Sequence, residues 1–195
     1  MTTTVTGLRE RTRGRVSVEL DGRPWRVLPA DAVVRVGLTV GRQLDRRTAR
    51  ELAREVRRAR ALAQAKRALV TGGRSRRELD QRLARTGHTG AAREDALASL
   101  GRSGLVDDAE LARGRAEALA RRGYGNAAIR ADLRKRLLPA EAVAEAVSAL
   151  EPEVARARRL CETEIPAAKL LRRLAGRGFS RDTLEEIGTA FAREA

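Results

Sequence analysis

The sequence predicts a mainly α-helical protein of tandem three-helix repeats in an elongated arrangement, preceded by a small N-terminal antiparallel β-hairpin or sheet. The main observation is that apolar residues in the middle third recur after fifty positions, as Leu83 does at Leu133 and Leu100 at Leu150, with helical spacings between them. Alternation typical of strands is found near the N-terminus. Because a unit this short buries little surface alone, we expect stacking on its neighbours to stabilise it.

The N-terminal residues predict the sheet. Residues 15–20 (RVSVEL) alternate polar and apolar side chains, and residues 23–28 (RPWRVL) supply a return strand. Between them, Asp21-Gly22 is a strong signal for a two-residue hairpin turn. Residues 3–8 predict a third strand.

Helices are expected from the end of this sheet to the C-terminus. Pro29 permits a short helix through Val36 that Gly37 closes, and Asp45 is a suitable N-cap for the helix that follows. The predicted regions are residues 1–45, a small β-containing N-terminal region; 46–60, a basic connecting helix; 61–105, the first three-helix repeat; 106–151, the second; and 152–195, a third and less regular helical repeat.

Cap and turn residues mark the helices within the repeats. Ser75 followed by Glu78 is a capping box, Asp107 followed by Glu110 marks a second helix start, and Pro139 suits a first helical position. The predicted helices lie near residues 61–71, 75–86, 91–102, 107–122, 126–136 and 139–150, and from about 153 onward, with interruptions at Pro166, Gly176 and Gly178 before a final helix opened by Ser180.

The charge of the chain predicts an anionic partner. The net charge is +15, from 41 basic and 26 acidic residues, which favours a polyanion or a protein assembly on a polyanion. Two groups of bases are candidates for contact with such a partner, and an ordinary solvated helix face is the alternative for each. The candidates are Arg50, Arg54 and Arg57 in the first group and Arg121, Arg122, Arg130, Arg134, Lys135 and Arg136 in the second.

Side chains suited to catalysis are scarce, and we predict a protein that is not an enzyme, with no catalytic, cofactor-binding or metal-binding residues. His88 is the single histidine and follows a helix-ending glycine, which favours a turn residue over a base or ligand. The sequence has no Walker loop, no dinucleotide glycine pattern and no Cys/His cluster with metal spacing. The pair Asp107-Asp108 could hold magnesium, but its place at a helix start favours capping.

Cysteine content and hydropathy predict the compartment. Cys161 is the single cysteine, which excludes an internal disulfide and fits a reducing cytoplasm. The N-terminus lacks the apolar segment of a signal peptide, and no stretch approaches the roughly 18 apolar residues of a membrane span. We expect a cytoplasmic monomer without membrane association.

Aromatic content limits the possible modes of nucleic-acid binding. Trp25, Tyr124, Phe179 and Phe191 are too scattered to form the stacking platform of an OB-fold or RRM. No helix places base-reading polar side chains beside its arginines, so contact with backbone phosphates is the mode that remains. On the helix near 126–136, we expect Ile129, Leu133 and Leu137 to face the core, which turns Arg130 and Arg134 toward a flank.

Four motifs, in order and at consistent spacing, give the chain a family resemblance. They are SRREL at residues 75–79, GLVDDAELA at 104–112, RRGYGNAAIRADL at 121–133 and RRLAGRGFS at 172–180. Together with the DG hairpin and the segment GLTVGRQLD, they resemble the RecX regulators of the bacterial RecA recombinase over nearly the whole chain. The motif residues that we single out as structural are Ser75, Glu78, Leu79, Asp107, Asp108, Gly123, Gly125, Gly178 and Phe179.

The resemblance implies a non-enzymatic regulator that binds RecA filaments on single-stranded DNA. Such a protein inhibits recombinase, ATPase and coprotease activity and limits filament extension or persistence in DNA repair, recombination and the SOS response. Leu137 departs from the family, which commonly has a glycine there, so the preceding helix is expected to run on or to join the next one differently. The alternative function is an autonomous basic helical protein that binds the phosphate backbone of DNA directly.

Overall fold

The computed structural model describes residues 3–161 and 166–194. Over these residues, ten helices follow a four-stranded antiparallel sheet, which confirms the predicted mainly α fold. The chain divides into two compact units. The first comprises Met1–Gly72 and Leu79–Leu105, and the second comprises Gly73–Glu78 and Val106–Ala195.

The sheet has the strand order β3-β2-β1-β4. Its strands are β1 (Thr3–Arg11), β2 (Arg15–Leu20), β3 (Arg23–Pro29) and β4 (Gln43–Leu44). The hairpin at Asp21-Gly22 and the third strand at the N-terminus are confirmed. Strand β4 was not predicted, because a two-residue strand has no periodicity to detect. It pairs with the first residues of β1.

One face of the sheet packs against two helices, α1 (Ala30–Val36) and the first half of α2 (Arg46–Val70). Val5, Val18 and Leu28 of the strands form a single core with Val33 of α1 and Leu52 of α2. As predicted, Gly37 ends α1 in the left-handed region, with φ of 65°. Asp45 caps α2 by accepting a hydrogen bond of 2.7 Å from the backbone N–H of Thr48.

Helix α2 is continuous across residue 60, so the predicted connecting helix and the first helix of the first repeat are one 25-residue helix. Its two halves bury different faces. Leu52 and Val56 in the first half belong to the core beneath the sheet. Ala61 in the second half packs with Ala92 and Ala96 of α4 (Gly90–Arg102), where the small side chains let the helices approach closely. Helix α3 (Arg76–Arg85) lies between them in sequence and buries Leu79 and Leu83.

Three helices of the second unit share one core within the predicted second repeat. Helices α5 (Asp108–Arg121), α6 (Asn126–Lys135) and α7 (Ala140–Ser148) pack around one apolar core. Ile129 and Leu133 of α6 are fully buried in that core, together with Ala112 and Ala116 of α5. Pro139 is the N-cap of α7, one position before the first helical residue where it was expected.

The prediction that Leu137 faces the core as part of the same helix is wrong. Helix α6 ends at Lys135, and Leu137 stands in the left-handed region with φ of 57°, half-buried. Leu138 is the residue that reaches the core. Of the two alternatives for this junction, the one in which the helix runs on is wrong. Leu137 takes the left-handed turn conformation that Gly87 has at the matching position of the first repeat, where φ is 81°.

Three further helices complete the second unit. They are α8 (Glu153–Arg159), α9 (Ala167–Gly176) and α10 (Arg181–Glu194), and Leu170, Leu174, Phe179 and Ile187 form their core. Ser180 opens α10 as predicted, because its hydroxyl accepts from the backbone N–H of Thr183. Between α8 and α9, the predicted interruption at Pro166 lies at the N-cap of α9.

Candidate partner-binding surfaces

Ser75 both caps α3 and forms a hydrogen bond to the end of α6. The Ser75 hydroxyl accepts from the N–H of Glu78 at 3.1 Å, and the Glu78 carboxylate accepts from the N–H of Ser75 at 2.9 Å, as predicted. The same hydroxyl donates to the carbonyl of Arg136 at 2.6 Å. Ser75 is fully buried, so this side chain connects the start of α3 to the end of α6.

The two adjacent aspartates cap different helices. Asp107 accepts from the backbone N–H groups of Ala109 and Glu110, which confirms it as the cap of α5. Asp108 accepts at 2.8 Å from the N–H of Arg76 in the first turn of α3. Both carboxylates are thus used where backbone donors are unpaired and the helix dipole favours a negative charge.

The glycine-rich motifs of the second unit pack against each other through their backbones. The N–H of Gly125 donates to the carbonyl of Arg177 at 2.9 Å, and the N–H of Ala127 donates to the carbonyl of Gly178 at 3.0 Å. Phe179 follows directly and is buried in the core of α8, α9 and α10. Gly123 takes the left-handed conformation, with φ of 79°. These motif residues therefore join α6 to the last helices.

Glu153 and Arg156 form a polar network that the sequence did not predict. The Glu153 carboxylate accepts from the N–H groups of Asn126 and Ser180 and from the hydroxyl of Thr183, so it caps both α6 and α10. Burial raises the pKa of Glu153, but these hydrogen bonds outweigh burial and hold its pKa below the ordinary value of 4.5. Arg156 is 5% exposed and donates to the carbonyl of Tyr124 at 2.9 Å and to the side chain of Asn126.

Part of the second basic group has contacts within the protein. Asp132 accepts two hydrogen bonds of 2.9 Å from Arg115 and lies 3.9 Å from Arg136, which also donates to the carbonyl of Gly73. The hydrogen bonds from Arg115 hold the pKa of Asp132 below its ordinary value. Arg136 is therefore oriented toward α3 and is half-buried, so its structural contacts account for its position.

The other members of this group lie at the end of α5 and on the outer side of α6. Arg121 lies 3.6 Å from Glu117, and the guanidinium of Arg122 lies 5.5 Å from the centre of the Tyr124 ring. Arg130, Arg134 and Lys135 form no salt bridge with any described residue. Arg134 and Lys135 are exposed and Arg130 is half-buried, so these three form the α6 basic surface.

The first basic group forms a stripe on α2. Arg50, Arg54 and Arg57 are all exposed, and spacings of four and three residues place them on one side of the helix. Arg54 lies 3.6 Å from Glu55, which also accepts a hydrogen bond from Arg58. We name Arg50, Arg54 and Arg57 the α2 basic stripe. It belongs to the first unit, and the α6 basic surface belongs to the second.

No family model and no curated protein sequence matches this chain. Solved structures do. The chain is similar to a crystal structure of "regulatory protein RecX", with a TM-score of 0.79 and 20% identity, over 95% of this chain and 98% of that one. It is also similar to the crystal structure of RecX from Lactobacillus salivarius, with a TM-score of 0.59 and 17% identity, over 67% of this chain and 94% of that one. The chain has the RecX fold.

The resemblance deduced from the four motifs is thus confirmed at the level of the RecX fold. Within this fold, the motif residues around Ser75, Asp107, Gly125 and Gly178 serve as caps and backbone contacts. The bases predicted to meet a partner are mostly on exposed helix faces instead. The motif residues are thus accounted for by contacts within the fold, and the basic surfaces remain the candidate sites.

The remaining candidates from the sequence have local structural roles in the RecX fold. His88 lies in the turn after α3, as predicted, and its Nε2 is 2.9 Å from the side-chain oxygen of Gln64. Cys161 is half-buried, its thiol donates to the carbonyl of Ala157, and burial raises its pKa. Among the helices that the structure describes, none has the length and apolar composition needed to cross a membrane.

Proposed function

We propose that this chain is a RecX-family regulator that binds RecA filaments on single-stranded DNA. In this function it inhibits recombinase, ATPase and coprotease activity and limits filament extension or persistence during DNA repair and the SOS response. The observation that carries the proposal is the RecX fold over 95% of the chain. The four motifs support it, because their residues make the capping and backbone contacts that hold this fold together.

The proposed regulator acts by binding and carries out no chemical step. Its two basic surfaces, the α2 basic stripe and the α6 basic surface, would face acidic groups of the filament or the phosphates of its DNA. Because they lie on one chain, the first contact raises the effective concentration of the second, which increases overall affinity without new contacts. Binding through these groups is expected to weaken steeply with salt, since paired charges release counterions.

The test is a titration of the full chain into RecA on single-stranded DNA, with ATP hydrolysis as the readout. We expect inhibition at less than one molecule per RecA protomer, because a regulator that limits extension acts on filaments and not on each subunit. Undiminished hydrolysis at a molar excess would contradict the proposal. Tight binding to naked DNA with no effect on RecA would favour the alternative function, autonomous binding of the DNA backbone.

The α6 basic surface is tested by reversing two of its charges. R130E/R134E should weaken ATPase inhibition about tenfold. Each lost ion pair with the partner is worth about 0.7 kcal/mol, and the two together are worth about 1.4 kcal/mol. Helical content should not change. The matched control is K169E/R173E on α9, which reverses two exposed charges at the same spacing in the same unit. Equal inhibition by both variants would remove Arg130 and Arg134 from the site.

A further inference from the structure

The first unit contains a basic groove of about 750 Å³ that lies outside both basic surfaces. Its walls are the turn between β1 and β2, the start of α1, the second half of α2 and the turn between α3 and α4. The charged and titratable residues that line it are Arg13, Arg15, Asp31, Arg60, Arg67 and His88. Since the residues come from four separate segments, no single stretch of sequence indicates the groove.

The arginines of the groove are available to a ligand. Arg13, Arg60 and Arg67 are exposed, and none of them forms a salt bridge within residues 3–161 and 166–194. Arg15 donates to the carbonyl of Val27 at 3.2 Å, which fixes its direction. Asp31 supplies the acidic charge among the lining residues, so the groove keeps an excess of positive charge.

The arginines also lie on two walls. Arg13 and Arg15 flank the turn between β1 and β2, whereas Arg60 and Arg67 lie on α2. Arg60 and Arg67 are two helical turns apart, which is about 10 Å along the axis. A chain with regularly spaced negative charges can therefore meet a guanidinium at more than one point along the groove.

The polar side chains of the groove that could read a base are paired with one another. Gln64 donates to the hydroxyl of Thr86 at 2.9 Å, and its side-chain oxygen lies 2.9 Å from Nε2 of His88. Their hydrogen-bonding groups are thus largely used inside the protein. The arginines that remain recognise charge, and contacts of this kind position a nucleic acid without reading its sequence.

We propose that this groove binds the phosphate backbone of single-stranded DNA. The inference goes beyond the proposed regulation of RecA, because it assigns a direct DNA contact to a site in the first unit. The volume lies in the range of small-ligand sites, about 300 to 1,000 Å³. A groove of this size accommodates a short stretch of one strand, and a duplex of the same length serves as the competing ligand in the test.

Fluorescence anisotropy of a labelled oligothymidylate of about 20 nucleotides tests the groove, with the full chain, no recombinase and a series of salt concentrations. R60Q/R67Q removes two charges from α2, and R13Q/R15Q removes two from the residues that flank the turn between β1 and β2. Each variant should weaken binding at least tenfold at low salt. Each should also reduce the slope of log K against log salt by about 1.4, because a single-strand phosphate contact contributes about 0.7.

The matched control is R35Q/K66Q, which removes two exposed charges of the same unit from outside the groove. It should keep the salt slope of the unmodified protein. Equal slopes for the groove variants and the control would overturn the proposal, as would stronger binding to a duplex of the same length. In the separate ATPase titration, groove variants that lose RecA inhibition while keeping oligonucleotide binding would overturn it too, since the groove would then face a protein. Because the anisotropy assay contains no RecA, its failure leaves the proposed regulation standing.

Discussion

The backbones of Gly125 and Gly178 are in direct contact. A Cβ atom placed on Gly125 would lie 2.2 Å from the carbonyl oxygen of Gly178, which is far inside van der Waals distance. Gly178 in turn lies against Ala128 in the first turn of α6. Each glycine thus leaves room for the backbone of a neighbouring segment, and a side chain at either position would collide with it.

Gly125→Ala is therefore expected to destabilise the second unit by about 3 kcal/mol, because the atoms that a Cβ would meet belong to the backbone of Gly178 and Phe179 and cannot move aside without displacing that segment. Chemical denaturation followed by circular dichroism measures the loss. Gly114→Ala in α5 is the control, because a Cβ there meets nothing within 4 Å. That change should stabilise the protein by about 0.5 to 1 kcal/mol. Similar stabilities for the two variants would show that the close approach does not constrain the fold.

Ser75→Ala is expected to cost about 2 kcal/mol. It removes the cap of α3 and leaves the carbonyl of Arg136 without its buried donor, each of which is worth about 1 kcal/mol. The comparison is Thr89→Ala at the N-cap of α4, where the threonine side chain makes no capping hydrogen bond. Thermal or urea unfolding should separate the two variants clearly. A Ser75→Ala protein as stable as Thr89→Ala would show that the link between α3 and α6 contributes little.

The Glu153 network predicts how stability depends on pH. The pKa of this carboxyl is lower in the folded protein than its ordinary value of 4.5. Its contribution to stability is therefore present above about pH 4.5 and is lost as the pH falls through the folded-state pKa. Glu153→Gln should show a shallower fall in the free energy of unfolding between about pH 5 and about pH 3, because the amide does not ionise.

At neutral pH, Glu153→Gln should be less stable by about 2 kcal/mol, since glutamine keeps one acceptor oxygen and its NH2 group cannot accept the hydrogen bonds at the other helix start. The control is Glu145→Gln at an exposed position of α7, which should follow the pH profile of the unmodified protein. Asp132 also has a lowered pKa, and it contributes the same pH dependence of stability to the unmodified protein and to both variants. Parallel profiles for Glu153→Gln and the unmodified protein would contradict the assignment.

The left-handed conformation of Leu137 predicts that glycine is tolerated better than alanine at this position. Leucine at φ of 57° is strained by about 1 to 2 kcal/mol, and alanine shares that strain whereas glycine does not. Both changes remove the same half-buried side chain. We therefore expect Leu137→Gly to be more stable than Leu137→Ala by about 1 kcal/mol in urea unfolding. The reverse order would mean that the left-handed turn is not retained in solution.

The helical part of the fold could be predicted because the sequence repeats its own pattern. Apolar residues such as Leu83 and Leu133 recur at matching positions and are buried in both repeats. Caps such as Asp45 and Asp107 are local signals, since the side chain pairs with a backbone group two or three residues away. The hairpin turn at Asp21-Gly22 is local in the same sense.

The contacts that the sequence did not predict are those between distant residues. Nothing near Ser75 in the sequence indicates its hydrogen bond to Arg136. Nothing near Glu153 indicates that its carboxylate caps α6 and α10. The basic groove is formed by four segments, so its arginines could not be grouped by spacing. At Leu137, the backbone takes a glycine-like conformation that leucine itself disfavours, so the residue type gave no sign of it.

The most direct test of the account is co-sedimentation of the full chain with RecA filaments on long single-stranded DNA, beside the same DNA without RecA, at about 0.15 M salt. The account predicts that the chain sediments with the filament at concentrations at least tenfold lower than those needed to sediment it with naked DNA. Equal sedimentation with both, or none with the filament, would contradict the claim that this RecX fold recognises the recombinase filament.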